Sequence, residues 1–195
     1  MKKRSNKVAL TIVGAAAFAL AGCQEEQVDA QAFPDLQTCK LNADEGTALT
    51  AADCDFAFAQ AQQLHEESAP RYNDLQVCEE QHGAGNCGSE QQAVSSGGSS
   101  GIFMPLLTGY LIGNMLSGNR TGMAAAQPLY KNGKGGFTNA SGSSSYSSNN
   151  GKAKLNASQF TKPQATKGKP PMTRATVASR GGFGKSSTSG RSFGS

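Results

Sequence analysis

DLQTC at residues 35–39 recurs almost unchanged as DLQVC at residues 74–78, and one further cysteine follows each copy, Cys54 after the first and Cys87 after the second. Four cysteines allow three pairings. The repeat and the shorter loops to be closed favour one local bridge in each copy, Cys39–Cys54 and Cys78–Cys87. An even number of cysteines in a short exported segment is typical of a domain whose core is too small to be stable without disulfides.

A helix is predicted between the two copies of the repeat. Thr50 is suited to the N-cap, with Asp53 three residues later, and apolar residues follow at the i, i+3, i+4 spacing of one helix face. Pro70 ends this helix. A second, short helix is predicted over Asp74–His82. Residues 31–93 are therefore expected to form a small α-helical, disulfide-stapled domain, called the head below.

The first 22 residues have the layout of a secretory signal, with a basic start followed by a 13-residue apolar region from Val8 to Leu20. That apolar run is too short to span a bilayer. LAGC at residues 20–23 resembles the bacterial lipobox, whose cysteine is lipidated and becomes the mature amino terminus; an ordinary cleavable signal with a chance cysteine is the alternative. Residues 23–30 then form a lipidated tether. Gln24, rather than Asp, after Cys23 favours the outer membrane by resemblance to bacterial sorting signals.

The charges of the predicted mature chain are segregated along the sequence. Residues 24–93 hold all 14 acidic residues and only Lys40 and Arg71, a net charge of −12, whereas residues 118–195 hold 12 basic residues and no acid. Such a distribution indicates an interaction tail. Anionic envelope polymer or lipid headgroups are the partners that this charge predicts for residues 118–195.

The segments after the head are poor in charge or in large apolar residues. Residues 94–101 are predicted to be a Gly/Ser linker, and the apolar residues 102–117 a short helix that packs on the head or on another copy, lies at the membrane interface, or spans it. Gly109 and Gly113 in this segment form a G-x-x-x-G motif that permits self-association. Glycine and serine make up 26 of the 78 residues from 118 to 195, so this tail is predicted to be disordered.

Composition argues against an enzyme with a deep core. Ile, Leu, Val and Phe supply 25 of the 173 residues after the leader, about 14% against the roughly 20% expected of an ordinary globular chain. Residues 184–186, GKS, lack the rest of a P-loop. The stretch from Cys78 through His82 to Cys87 lacks the fourth ligand of a zinc knuckle, and His65 is expected to be a partly buried structural histidine. We therefore expect no catalytic residue, cofactor, metal or nucleic-acid partner.

Several short motifs follow one another in order along the chain: the lipobox at Cys23, the two cysteine pairs with APRY at 69–72 between them, FMPL at 103–106 with Gly109-Tyr110, QPL at 127–129, and RGGFG at 180–184. Together they resemble the YgiB-like family of uncharacterised bacterial lipoproteins. The resemblance implies a cell-envelope lipoprotein, often encoded beside an ATP-grasp protein that looks like a glutathionylspermidine synthetase, and it carries no known catalytic residue.

Two functions from different classes are compatible with these features. The first is a non-enzymatic tether, anchored by lipid at Cys23 and contacting anionic envelope polymer or lipid through its cationic tail. The second is a small binding or redox module whose acidic head recognises a cation such as a polyamine. The charge segregation favours the first.

Overall fold

The structure is a computed structural model that describes residues 25–44, 49–93, 99, 101–113 and 125–180. The predicted lipidation site Cys23 and the signal segment 1–22 lie outside the described residues, as do residues 181–195. Among the helices that are described, none is long and apolar enough to cross a membrane.

The described chain contains five α-helices, and the two helices predicted in the head are confirmed. The predicted long helix is α2, which begins after the N-cap Thr50, where the Thr50 side chain and the Asp53 side chain each accept a hydrogen bond from the other residue's backbone N–H. The short one, α3, begins after Asp74, whose carboxylate accepts hydrogen bonds from two backbone N–H groups. The bounds are α1 Leu36–Asp44, α2 Ala51–Ser68, α3 Leu75–His82, α4 Glu90–Ala93 and α5 Arg174–Ser179.

The fold class predicted from the sequence, a helical head with an apolar helix and a disordered tail, is wrong. Helices pack on a six-stranded antiparallel sheet of order β7-β6-β5-β4-β1-β8, and β2 and β3 form a second, two-stranded sheet. The strands are β1 Gln27–Phe33, β2 Cys87–Ser89, β3 Phe103–Pro105, β4 Gly109–Gly113, β5 Ala125–Lys131, β6 Phe137–Thr138, β7 Ser145–Tyr146 and β8 Gly151–Asn156.

The segment predicted to be an apolar helix forms strands β3 and β4 instead. Tyr110 and Ile112 of β4 pack with Phe33 against the helices, while Leu111 points to the opposite face of the sheet and packs with Leu129. Both faces of this central strand are covered, so apolar residues run continuously along it. A short continuous apolar run does not distinguish a buried strand from a helix, which is why the prediction failed.

The tail predicted to be disordered is folded over residues 125–180. It supplies four of the six strands of the large sheet, a 3₁₀ helix at Ala157–Phe160 and helix α5. Most of its few large apolar residues are buried, among them Leu129, Tyr130 and Phe160. A low apolar content is sufficient for this segment to fold because its apolar side chains pack with those of the N-terminal half in a shared core. Backbone hydrogen bonds between strands supply the remaining contacts.

The large sheet is curled because its two edge strands are consecutive in the chain. Only residues 147–150 join β7 to β8, a connection that reaches at most about 19 Å, whereas six flat strands are about 24 Å wide. Asn149 in this connection donates a hydrogen bond of 2.6 Å to the Thr108 carbonyl. Beside it Gly109 has a φ of 151°, and a Cβ there would lie 2.8 Å from the Phe33 carbonyl oxygen.

The curled sheet has a core on each face. On one face Phe33 and Tyr110 pack against helices α1 and α2; within the described residues the Tyr110 hydroxyl is buried without a hydrogen-bond partner. On the other face Phe160 of the 3₁₀ helix packs on alanine, valine and leucine side chains from β1, β4 and β5. A Cβ at Gly113 would lie 2.7 Å from the Phe160 ring. The glycine therefore allows this ring to pack closely against the backbone of β4.

Candidate ligand pocket

Both predicted local disulfides are present. Cys39 is bridged to Cys54, which joins α1 to α2, and Cys78 is bridged to Cys87, which joins α3 to β2. The two cysteines of the zinc-knuckle-like stretch are thus bonded to each other. No group of three or more candidate metal ligands occurs in the part of the chain that the structure describes.

His82 is fully buried beside this second disulfide and is held as one neutral tautomer. Its Nδ1 donates to the Lys131 carbonyl at 2.7 Å, so its Nε2 accepts the hydrogen bond of 2.9 Å from the Tyr72 hydroxyl. Burial lowers the pKa of His82 to about 4, although the Lys131 carbonyl favours the charged form. Burial raises the pKa of the Tyr72 hydroxyl. The pair is therefore uncharged at neutral pH, and it ties α3 to β5.

His65 contacts the second buried tyrosine of this region. Its Nδ1 lies 3.2 Å from the Tyr130 hydroxyl, and both side chains are buried. The sequence predicted that His65 is partly buried, whereas in the structure it lies in the core. There it packs between α2 and β5.

A buried ion pair lies in the APRY stretch that carried the family resemblance. The Arg71 guanidinium contacts the Glu90 carboxylate at 2.6 Å, and it also donates to the Thr166 hydroxyl at 2.6 Å. Burial disfavours ionisation of Glu90, but hydrogen bonds from the Ser99 backbone and from Arg71 outweigh it and lower the pKa of this carboxyl. Arg71 therefore joins the head to the chain that follows β8.

The segregated charges of the sequence come together in the fold. Lys162 contacts Glu67 at 2.8 Å, Arg174 contacts Glu80 at 2.8 Å, and the Lys154 and Asp29 side chains of neighbouring strands lie 3.7 Å apart. The hydrogen bond from Lys162 is the main reason why the pKa of Glu67 is lowered. Part of the cationic tail therefore neutralises part of the acidic head within the same molecule.

A polar cavity of about 360 Å³ lies at one end of the sheet, on the face that carries Phe160. Five separate parts of the chain contribute to it. They are Glu25 before β1, strand β5, the β6–β7 connection, the end of β8 with the 3₁₀ helix, and the chain beyond that helix. The residues that line it are Glu25, Gln127, Asn139, Ala140, Ser141, Ser143, Ser144, Asn156, Ser158, Gln159, Thr161 and Pro163.

Hydrogen bonds from and to side chains fix the polar groups around this pocket. One Glu25 carboxylate oxygen accepts from the Asn156 amide at 2.6 Å, and the other accepts from the Ser158 hydroxyl. The Gln127 amide donates to the Thr161 carbonyl at 3.1 Å. These contacts hold the carboxylate and the amide in place before any ligand arrives.

The lining is amide- and hydroxyl-rich, with one carboxylate and no Lys or Arg among its described residues. It therefore offers hydrogen-bond donors and acceptors to a polar ligand and disfavours an anion. Sequence reasoning missed this pocket entirely. Asn and Ser in a Gly/Ser-rich stretch are typical of a linker, and no spacing brings the five parts of the chain together before the sheet forms.

The fold and the pocket define a small two-disulfide domain in which helices pack on a curled antiparallel sheet that carries a polar cavity. The chain belongs to a family of proteins of unknown function, DUF1190, which it matches over residues 27–194. The predicted resemblance to an uncharacterised bacterial family is confirmed.

Two relatives illustrate the similarity. A UPF0441 protein of Klebsiella pneumoniae is 32% identical over 196 residues, covering 92% of this chain and 79% of the relative. A UPF0441 protein of Serratia proteamaculans is 30% identical over 191 residues, covering 92% and 80%. No solved structure matches this chain.

Proposed function

We propose that this protein is a non-enzymatic, lipid-anchored binding protein of the bacterial cell envelope, and that its ligand site is the polar pocket. The lipobox-like LAGC at residues 20–23 supports an anchor at Cys23, and Gln24 after it favours the periplasmic face of the outer membrane. The observation that carries the binding role is the pocket itself, a cavity of about 360 Å³ whose polar side chains are fixed by hydrogen bonds. This volume lies within the range of small-molecule sites, roughly 300–1,000 Å³.

A binding role is favoured over a disordered tether because the tail is not free. Its residues 125–180 form strands and helices, and Lys162 and Arg174 are paired with acidic residues of the head. A segment that forms strands of the sheet cannot also extend away from the protein to bind a distant polymer.

A second candidate function uses the basic residues that remain on the folded surface. Lys134, Lys152 and Lys169 are exposed and form no ion pair with the described residues. They would contact anionic envelope polymer or lipid headgroups. Binding to phosphatidylglycerol vesicles should then fall steeply with added salt and should be lost when all three are changed to Glu. Binding that salt does not weaken would rule this candidate out.

The anchor is tested by Cys23→Ala. We expect loss of the acyl mass in intact-mass measurement, and release of the protein from the membrane fraction. An unchanged mass and unchanged fractionation would show that Cys23 carries no lipid.

The pocket is tested by native mass spectrometry of the protein isolated from bacterial envelopes. We expect the wild type to retain a small-molecule adduct and Ser143→Trp, which fills the pocket mouth with an indole, to lose it. Ser179→Trp places the same ring on exposed helix α5, outside the pocket lining, and should keep the adduct. No adduct in the wild type, or an adduct retained by Ser143→Trp, would contradict the proposed function.

A further inference from the structure

We infer that the ligand of the polar pocket is an uncharged saccharide, an inference that rests on the proposed binding function. The first reason is the type of groups in the lining. Asn139 is almost fully buried, and its amide oxygen accepts from the Ser141 hydroxyl at 3.2 Å while its amide nitrogen donates to the Ser143 hydroxyl at 3.1 Å. These contacts hold the Ser141 and Ser143 hydroxyls in place at the pocket. Hydroxyl groups can both donate and accept hydrogen bonds, which matches the hydroxyl groups of a sugar ring.

The second reason is charge. With one carboxylate and no Lys or Arg in the described lining, the pocket repels phosphate and carboxylate ligands. It also suits a polyamine poorly. A polyamine carries at least two ammonium groups, whereas Glu25 offers a single carboxylate whose oxygens already accept hydrogen bonds from Asn156 and Ser158. A second ammonium group would be desolvated without a counter-charge.

The third reason is fixed geometry. Gln127, a pocket-lining residue of β5, is 4% exposed, and its amide is held by the Thr161 carbonyl. Gln159 accepts a hydrogen bond of 2.7 Å from the Tyr146 hydroxyl. Side chains that are ordered before binding lose little conformational entropy on binding, and this matters for saccharides because each of their hydroxyl groups must also give up a hydrogen bond to water.

The position of Glu25 brings the pocket close to the membrane. Glu25 lies two residues after Cys23, so its Cα is at most about 7 Å from that of an acylated cysteine. The polar headgroup layer of a bilayer is about 5–7 Å deep on each side. The saccharide can therefore come from two sources, the headgroup of a neutral glycolipid or a free oligosaccharide.

The test uses the full lipidated protein in phosphatidylcholine nanodiscs, which contain no sugar. Maltose, diacetylchitobiose and spermidine are titrated separately by isothermal titration calorimetry. We expect saturable binding of at least one disaccharide. Gln159→Ala should weaken it at least tenfold, whereas Gln76→Ala, which removes an exposed amide on α3 outside the pocket, should leave it unchanged. Nanodiscs that contain monogalactosyldiacylglycerol distinguish the sources, because a headgroup in the pocket would lower the apparent affinity for the free disaccharide.

Each outcome decides the ligand class. The saccharide assignment is supported if a disaccharide binds and Gln159→Ala weakens that binding, with or without competition by the glycolipid. Binding of spermidine but of neither sugar, or sugar binding that Gln159→Ala leaves intact, overturns it. Absence of binding by all three probes also overturns the saccharide assignment, whereas the proposed function is decided separately by the native adduct and its loss in Ser143→Trp.

Discussion

Acidification from pH 7 to pH 5 should destabilise the protein through His82, because the folded state keeps this imidazole neutral. The pKa of His82 is about 4 in the fold, against about 6.5 in an unfolded chain. Between these values the unfolded state binds a proton that the folded state does not. The stability that the neutral histidine contributes is therefore present above pH 6.5 and is lost as the pH falls toward 4.

The magnitude follows from the two pKa values. At pH 5 about one proton separates the two states, and integrating the difference from pH 7 gives a loss of about 2 kcal/mol. Carboxylates contribute little in this window, since those of Glu67 and Glu90 have lowered pKa values in the fold and an unfolded glutamate titrates near 4.3.

Urea unfolding of the oxidised protein, followed by circular dichroism at pH 5, 6 and 7, measures this loss. His82→Gln should lower stability at every pH but remove most of the pH dependence. Val77→Ala creates a cavity in the buried cluster that contains Tyr72, the hydrogen-bond partner of His82. It should lower the free energy of unfolding by a comparable amount, about 2 kcal/mol, and keep the pH dependence. A wild-type protein equally stable at pH 5 and pH 7 would refute the assignment of His82 as a buried neutral donor, as would an unchanged pH slope in His82→Gln.

Three further changes test the packing, each by the free energy of unfolding in urea. Arg71→Met should lower it by about 3–5 kcal/mol because this change leaves the Glu90 carboxylate buried and unpaired. Adding Glu90→Leu should recover most of the loss, and no recovery would contradict the ion pair. Changing Cys78 and Cys87 together to Ser should cost about 2–4 kcal/mol, and peptide mapping of the wild type under non-reducing conditions should recover this pair linked. Tyr110→Phe removes a buried hydroxyl without a partner among the described residues and should raise stability by about 1 kcal/mol, so a clear destabilisation would show that the hydroxyl has one.

The features that the sequence predicted correctly are local. The repeat before Cys39 and Cys78 indicated both disulfides, because closing a loop of 9 or 15 residues costs little entropy. Thr50 with Asp53 indicated the start of α2 because a capping box involves only four neighbouring residues. The resemblance to an uncharacterised family rested on ordered short motifs and was correct for the same reason.

The sheet, the charge pairing and the pocket were decided by tertiary structure. Val28 of β1 pairs with Leu155 of β8, and Gln31 pairs with Ile112 of β4; no local signal specifies partners so far apart, because strand pairing depends on which faces are buried together. The low-complexity composition of the tail concealed strands whose stability comes from a core supplied by the head. The amino-acid sequence by itself determined the bridges, the helix starts and the family, while the polar pocket depends on tertiary structure, because the pairing of β1 with β8 brings Glu25 beside Asn156.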